Sequence, residues 1–397
     1  MFLSPFKYIR YNFTFDFFQK KSINPLCEYV HNKANNKGIF NKNFNPNNSI
    51  GEAIHEIRFI PPYFDVKFPF LASEYEVMRF CRVDNFQINL EGYSDAEEYL
   101  KSRMGPKSRS QLRRRINGLE ACFKINYTFY FGELSKEKYD FLFEKLELLI
   151  ERRFRQRGDI FTLKSKLESI KENSYELILE KKASFFVIYD GEKPIDICLS
   201  YHFQNIILHL IRSYDIDYSK FGLGQIDILK QVEWCIEKGI KIFDLMWGEL
   251  VYKTRWCNVN RLYEHYFIYK NNHLLKKAFI RLMIKLYKIN DFLKQKRISQ
   301  FPYKLRVAFS KKNQSMQTKK EYAYKIENIA IMPCYDSITK ININCDEYAF
   351  LRKPTYDFQY LNFEASDTIH VFKMNNDSNS YIIKGEKQQQ NILVSIN

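Results

Sequence analysis

The sequence has no uninterrupted run of about 20 apolar residues, so no transmembrane helix is expected. Its opening stretch lacks a clean apolar leader, because Lys7, Arg10 and Asp16 interrupt it; a secretory signal is not expected. The eight cysteines contain no Cys-X-X-Cys pair and no metal-ligand spacing, and Cys198 and Cys235 sit inside apolar patterns. They read as reduced core thiols of a cytoplasmic protein, with no bound metal. No Ser-His-Asp arrangement is visible, which leaves out triad hydrolysis. Nucleic-acid-binding motifs and aromatic interleaving of basic runs are also missing.

What is present is a long, aromatic, basic chain. With 397 residues, 45% hydrophobic and 17% aromatic, it can bury a large core in two or three domains. The formal net charge is +16. The stretch after Lys320 is slightly acidic, so the positive excess lies before it. Such a body suits anionic ligands: a cofactor carrying phosphates, acidic lipid or nucleic acid.

The chain is organised around residues 213–256. Three strand-like runs, 184–189, 195–203 and 206–213, come first, with Asp190-Gly191-Glu192-Lys193 as a hairpin turn between the first two. A polar run then ends in Phe221-Gly222-Leu223-Gly224, and Ile226, Leu229, Val232 and Ile236 recur at helical spacing up to Gly239. An apolar run, 240–246, reads as a buried strand. Glycines ahead of a helix let backbone N–H groups approach an anion, and the helix N-terminus carries about half a positive charge. Gly222 and Gly224 are therefore either a phosphate cradle or a plain turn.

This order, followed by Gly248-Glu249 and Tyr252-Lys253-X-Arg255-Trp256, resembles the GNAT acyltransferase fold. It is most similar to the CelD/BcsL-type acetyltransferase family, itself similar to FemAB aminoacyl transferases. The family pattern G-[DE]-x-x-Y-K-x-x-W is matched by Gly248, Glu249, Tyr252, Lys253 and Trp256. The loop proline usual in the family is absent, Phe221 standing in its place. The resemblance covers residues 99–270.

It implies an α/β (α+β) fold with a mixed, mostly antiparallel sheet flanked by helices. It also implies an acyl-CoA-dependent N-acyltransferase with acetyl-CoA as co-substrate. The acceptor would be the amino group of a small molecule or of a polysaccharide- or lipid-linked amino sugar. Such an enzyme needs N–H groups for the pyrophosphate, a strand edge to polarise the thioester carbonyl and a base for the amine. Residues 219–225 (Ser219, Lys220, Phe221, Gly222, Leu223, Gly224 and Gln225) would hold the cofactor. Glu249 and Asp244 are the base candidates, and Tyr252 is the acid for the leaving thiolate. Lys253 and Trp256 would meet substrate. Against these stand plain readings: Asp244 as an orienting carboxylate, Tyr252 and Trp256 packing inward, His202 and His209 as strand-face histidines. Two alternatives remain: a FemAB-like transferase drawing on aminoacyl-tRNA, and a non-catalytic relative binding a membrane or partner.

The rest divides around this core: an N-terminal α/β portion (1–104), the acyltransferase domain (105–300), and a linker with a small β-rich appendage (301–397). Residues up to about 51 are rich in Asn, Lys and aromatics, and the segment 32–48 reads as a loop or disordered excursion. Ser94 with Glu97 has capping-box spacing for a helix start. Arg109, Arg113, Arg114 and Arg115 flank a seam of Leu112, Ile116 and Leu119, either as a solvated helix face or as an anion site. Residues 136–157 and 161–181 read as helices. In 273–297, Leu275, Phe279, Leu282, Leu286, Ile289 and Leu293 form a seam beside eight lysines and arginines and one acid, Asp291. That helix either docks its seam on the sheet or makes a peripheral contact with an anionic membrane.

Overall fold

The structure is a computed structural model that describes residues 6–45, 51–68, 74–158, 161–248, 250–271, 273–295 and 322–396. Glu249, the linker 304–320 and the last two residues of the expected helix 273–297 lie outside these described residues.

The chain opens with β1 (Tyr8–Asn12), α1 (Phe13–Lys20), β2 (Tyr29–Asn32), β3 (Lys37–Phe40), β4 (Ile54–Ile60), β5 (Phe64–Lys67) and β6 (Tyr75–Asn89). Helices α2 (Ala96–Arg103) and α3 (Pro106–Cys122) lead to β7 (Ile125–Tyr130), α4 (Lys136–Arg157) and α5 (Leu167–Leu179). Then come β8 (Ala183–Asp190), β9 (Lys193–Phe203), β10 (Ile206–Tyr214), α6 (Leu223–Glu237), β11 (Ile242–Asp244), α7 (Val251–Trp256), β12 (Val259–Lys270) and α8 (Leu274–Gln295). The C-terminal region holds β13 (Tyr322–Asn328), β14 (Ile338–Ile341), α9 (Arg352–Asn362), β15 (His370–Met374), β16 (Ser380–Lys384) and β17 (Gln389–Ile396).

Nine strands form one sheet in the order β1-β4-β12-β6-β11-β10-β9-β8-β7. Among the described residues only β1/β4 and β10/β11 pair in parallel. The central strands read as near-continuous apolar runs because both faces are covered. Alternation still sorts their side chains: Phe185 and Val187 join the core with α1, α4 and α5, while Phe186 and Ile188 join the core with α3 and α6. This is the mixed, mostly antiparallel, helix-flanked sheet that the GNAT resemblance implies, with an additional β-rich C-terminal region.

Several local expectations are corrected. Within the stretch 32–48 expected as a loop, Lys37–Phe40 forms β3 against β2, and residues 46–48 lie outside the described residues; upstream, Phe13, Phe15, Phe17 and Phe18 of α1 are buried in the main core. Those aromatics, four in six positions, outweigh the surrounding Asn and Lys. The N-cap of α2 is Asp95, not Ser94; Asp95 Oδ1 accepts from Glu98 N at 2.7 Å, while Ser94 N and Oγ both donate to Glu98 Oε2 at 2.9 Å. The capping box is thus shifted by one residue. The strand expected over 240–246 contracts to the three residues of β11. The seam of α8 splits: Phe279 and Leu286 pack against the core, where the neighbouring Ile280 and Met283, outside the seam, are buried, whereas Leu275, Leu282 and Ile289 face outward.

The C-terminal sheet, in the order β13-β17-β16-β15-β14, is joined to the core around the nine-stranded sheet by α9. Tyr356 packs on Phe123 and Tyr218 with ring centroids 5.1 and 4.6 Å apart, and Tyr360 packs on Phe221 at 5.1 Å. The region therefore backs the segment that carries the two loop glycines.

Candidate active site

The sheet has one opening built into its pairing. β10 meets β11 only over Ile206–Leu208 against Ile242–Asp244. On its other edge, β10's register with β9 slips between His209 and Ile211, a β-bulge. Beyond Leu208 the β11-side edge of β10 is therefore free. A cavity of about 420 Å³ opens there, lined by residues 209–212 of β10, the loop 245–247, the start of α6, and Tyr252 and Lys253 of α7.

The start of α6 is shaped to take an anion. Gly222 is its N-cap at φ +70°, a conformation that side chains disfavour, and no side chain caps the helix. By position, the N–H groups of Leu223 and Gly224 lack intrahelical acceptors. Gly224 also answers a close approach: a Cβ there would lie 2.9 Å from Arg212 Nη1. Among the described lining residues are Arg153, Arg157, Arg212 and Lys253, and no acid.

Arg212 is anchored from below. Its Nε donates to Asp196 Oδ1 at 3.1 Å, Nη2 donates to Asp196 Oδ2, and Asp227 Oδ2 lies 3.3 Å from Nε. Burial works against the guanidinium's charge, but the two carboxylates outweigh it and hold its pKa above the usual value. Burial pushes the Asp196 carboxyl up, with Arg212 opposing. Arg153 is placed differently. Its guanidinium stacks 4.4 Å from the Tyr214 ring centroid, and it has no ion-pair partner among the described residues. Burial, and then Arg212, push its pKa down. A cation crowded by another cation on the wall of a cavity gains from an incoming anion.

His209 belongs to the same cluster. It lines the cavity, and its buried Nε2 has no hydrogen-bond partner; Asp227 Oδ2 stands 3.6 Å away. Asp227 is itself held by Gln231 Nε2, which donates to Oδ1 at 3.1 Å. Asp227 thus stands beside the imidazole without a hydrogen bond to it, and His209 is a general-base candidate by its position on the cavity wall.

The other wall is the turn from β11 into α7. Asp244 is buried and saturated: Tyr63 Oη, Asn85 Nδ2 and Met246 N donate to it at 2.8, 2.7 and 2.6 Å. Burial raises its pKa to about 6 despite these donors. It shapes the turn rather than lining the cavity. Lys253 Nζ donates to the carbonyls of Leu245 and Trp247, both at 2.6 Å, and burial lowers its pKa to about 8. The Tyr252 hydroxyl is raised to about 12 by burial, with Arg212 and Arg153 pulling it down. Trp256 is fully buried; its Nε1 donates to Gln225 Oε1 at 2.8 Å, and Tyr99 Oη donates to its carbonyl. Trp256 thereby ties α7 to the first turn of α6.

The residues singled out from the sequence thus separate. Gly222, Gly224, Gln225, Tyr252 and Lys253 come together around the cavity. Phe221 and Leu223 are buried, Asp244 and Trp256 support the walls, and Lys220 Nζ lies 3.9 Å from Asp357 Oδ2. Ser219 is outside the lining, and Glu249 is outside the described residues. Arg153, Arg212, Asp196 and Asp227 were missed. One signal was legible in retrospect: a charged residue inside an apolar strand, such as Asp196 or Arg212, needs a buried partner.

Comparison with known proteins agrees with this geometry. Residues 106–254 match the family model described as Acetyltransferase (GNAT) domain. That span runs from the first residue of α3 to within α7 and contains the β10 edge and the glycines. No curated protein matches the sequence. Similar solved structures include a conserved protein of unknown function from Bacteroides thetaiotaomicron VPI-5482, at 6% identity over 54% of this chain and 69% of that one, TM-score 0.36. FemX is similar at 12% identity over 50% of this chain and 64% of that one, TM-score 0.36. L-PGS from Bacillus licheniformis is similar at 14% identity over 58% and 71%, TM-score 0.32. Similarity this low says nothing of donor or acceptor.

Proposed function

We propose that the cavity binds an acyl-CoA, acetyl-CoA in the simplest case, and transfers its acyl group to an amine of a small-molecule or glycan-linked acceptor, as in CelD/BcsL-type enzymes. The supporting observation is the coincidence, at one opening of the sheet, of a free strand edge, a glycine-capped helix N-terminus and three arginines, with no acid among the described lining residues. Pyrophosphate suits the helix N-terminus with Arg153 and Arg212. Backbone N–H groups of β10 at the bulge suit the thioester oxygen.

In the reaction a nitrogen–carbon bond forms and the carbon–sulfur bond breaks. His209, which lines the cavity beside Asp227, takes a proton from the attacking amine, with Glu249 as the other candidate. Tyr252 returns a proton to the leaving thiolate. Lys253 holds the turn 245–247 open and balances negative charge nearby. The aminoacyl-tRNA alternative would draw on a basic face that is only partly engaged: Arg113 Nη2 donates to Glu97 Oε1 at 2.6 Å, whereas Arg114 and Arg115 have no ion-pair partner among the described residues.

The test is coenzyme A binding followed by thermal unfolding. At a hundred times its dissociation constant, coenzyme A stabilises the folded protein by about 2.7 kcal/mol, a shift of several degrees. Gly222→Val, provided it folds, removes the shift, because its side chain would oppose the positive φ and crowd Arg115. If neither coenzyme A nor acetyl-CoA shifts the wild type at millimolar concentration, the acyl-CoA reading fails and an aminoacyl donor takes its place.

A further inference from the structure

We propose that the outward face of α8 seats the protein on an anionic membrane surface. Leu275, Leu282, Ile289 and Phe292 are 76%, 53%, 55% and 55% exposed. The first three are seven residues apart, two turns each, and so form one line along the helix. Single exposed leucines need no explanation, but an aligned apolar stripe does. The helix has no need of it for docking, because its inner face is already occupied. There Ile280 and Met283 are buried, and Tyr287 Oη donates to Glu56 Oε1 at 3.0 Å.

Charge identifies the occupant. Asp291, the acid of this helix, is drawn inward by Arg82, whose Nη2 and Nε donate to it at 2.7 and 3.0 Å. The cations at the helix start are likewise consumed: Lys276 Nζ donates to Glu52 Oε2 at 2.8 Å, and Lys277 Nζ lies 2.7 Å from Glu76 Oε1. Arg281, Lys285 and Lys288 are different. They recur at intervals of four and three beside the apolar stripe, are exposed, and have no ion-pair partner among the described residues. An apolar line with a cationic flank fits the interface of an anionic bilayer, where the apolar side chains reach the acyl boundary and the cations meet headgroups. A recess of about 300 Å³, lined by Met283, Leu286, Ile289 and Leu293 among others, adjoins the line and offers apolar depth. A second copy of the same face would bring the unpaired cations of both helices together, which disfavours self-association. This surface stands independently of the acyltransferase reading.

Flotation of the full chain with vesicles tests it. The protein floats with phosphatidylcholine vesicles containing phosphatidylglycerol, stays free of pure phosphatidylcholine, and is released by salt. The double variant Leu282→Glu, Ile289→Glu keeps the melting temperature, since both side chains are outside the core, and loses at least about tenfold in partitioning. Lys285→Gln and Lys288→Gln each lower it by about fivefold, in step with roughly 1 kcal/mol per surface cation. Absence of flotation on the anionic vesicles overturns the proposal. So does equal flotation on both kinds of vesicle, unchanged flotation of the double variant, or a concentration-dependent dimer that the double variant abolishes.

Discussion

Helix α6 has a cavity at each end, and the two are opposite in kind. At its N-terminus lies the 420 Å³ opening, crowded with buried charge. At its C-terminus lies a cavity of about 590 Å³ walled by Phe17, Phe18, Phe131, Phe203 and Trp234. Each end has a histidine from the same hairpin. His202 hydrogen-bonds Ser184 Oγ at 2.8 Å, packs on Phe131, and is held at a pKa of about 3 by burial. It stays neutral at physiological pH. His209 faces a carboxylate, two arginines and the free edge of β10. The contrast shows that a strand histidine acquires chemistry from what surrounds it.

The comparison can be broken most forcefully at Arg212. Replacing it by Leu leaves Asp196 and Asp227 buried beside each other without their shared cation. The expected loss is about 3–5 kcal/mol of stability by urea unfolding. A loss near zero would mean that the carboxylates are not charged in the fold, and that the two ends differ less than the geometry implies.

Lys253 gives the next effect, and its sign is diagnostic. Its folded pKa, about 8, is below the ordinary 10.5, so the amine loses its proton at lower pH in the fold than in the unfolded chain. Between these values the unfolded chain binds the proton and the fold does not, so stability rises with pH across that window, by roughly 3 kcal/mol in all. Lys253→Met should flatten this rise. A rise that survives the substitution would assign it to another group.

The two histidines supply the sharpest contrast and the smaller effects. His209→Ala should lower kcat about a hundredfold if the imidazole is the general base, with little change in coenzyme A affinity. His202→Ala should leave kcat alone and cost about 1–2 kcal/mol of stability by exposing Ser184 to an unmade hydrogen bond. Equal loss of activity in both variants would remove the functional distinction between the ends.

The separation between what was legible and what was not follows particular residues. Residues 184–214 announce three strands because three mainly apolar runs are separated by Asp190-Gly191-Glu192-Lys193 and Gln204-Asn205, which lie at the turns, while isolated polar residues such as Asp196 and Arg212 sit inside the runs. Gly222 and Gly224 mark the head of α6 for a local reason, a positive φ at one and a close approach at the other. The apolar period of α8 shows an amphipathic helix. It cannot show that Leu282 faces out and Ile280 in, because a wide apolar band fits either rotation until a sheet selects one. Likewise Trp256 looks like a substrate platform in the motif and proves to be a brace, since its partner Gln225 is 31 residues away in sequence. Capping, turns and periodicity depend on neighbours within a few positions, so the sequence alone determined them. The parting of β10 from β11, the pairing of Arg212 with Asp196 and Asp227, and the isolation of Arg153 depend on which segments the closed sheet brings together. Those long-range contacts set the dielectric and the charge around each group, so only the tertiary structure decided which residues could do chemistry.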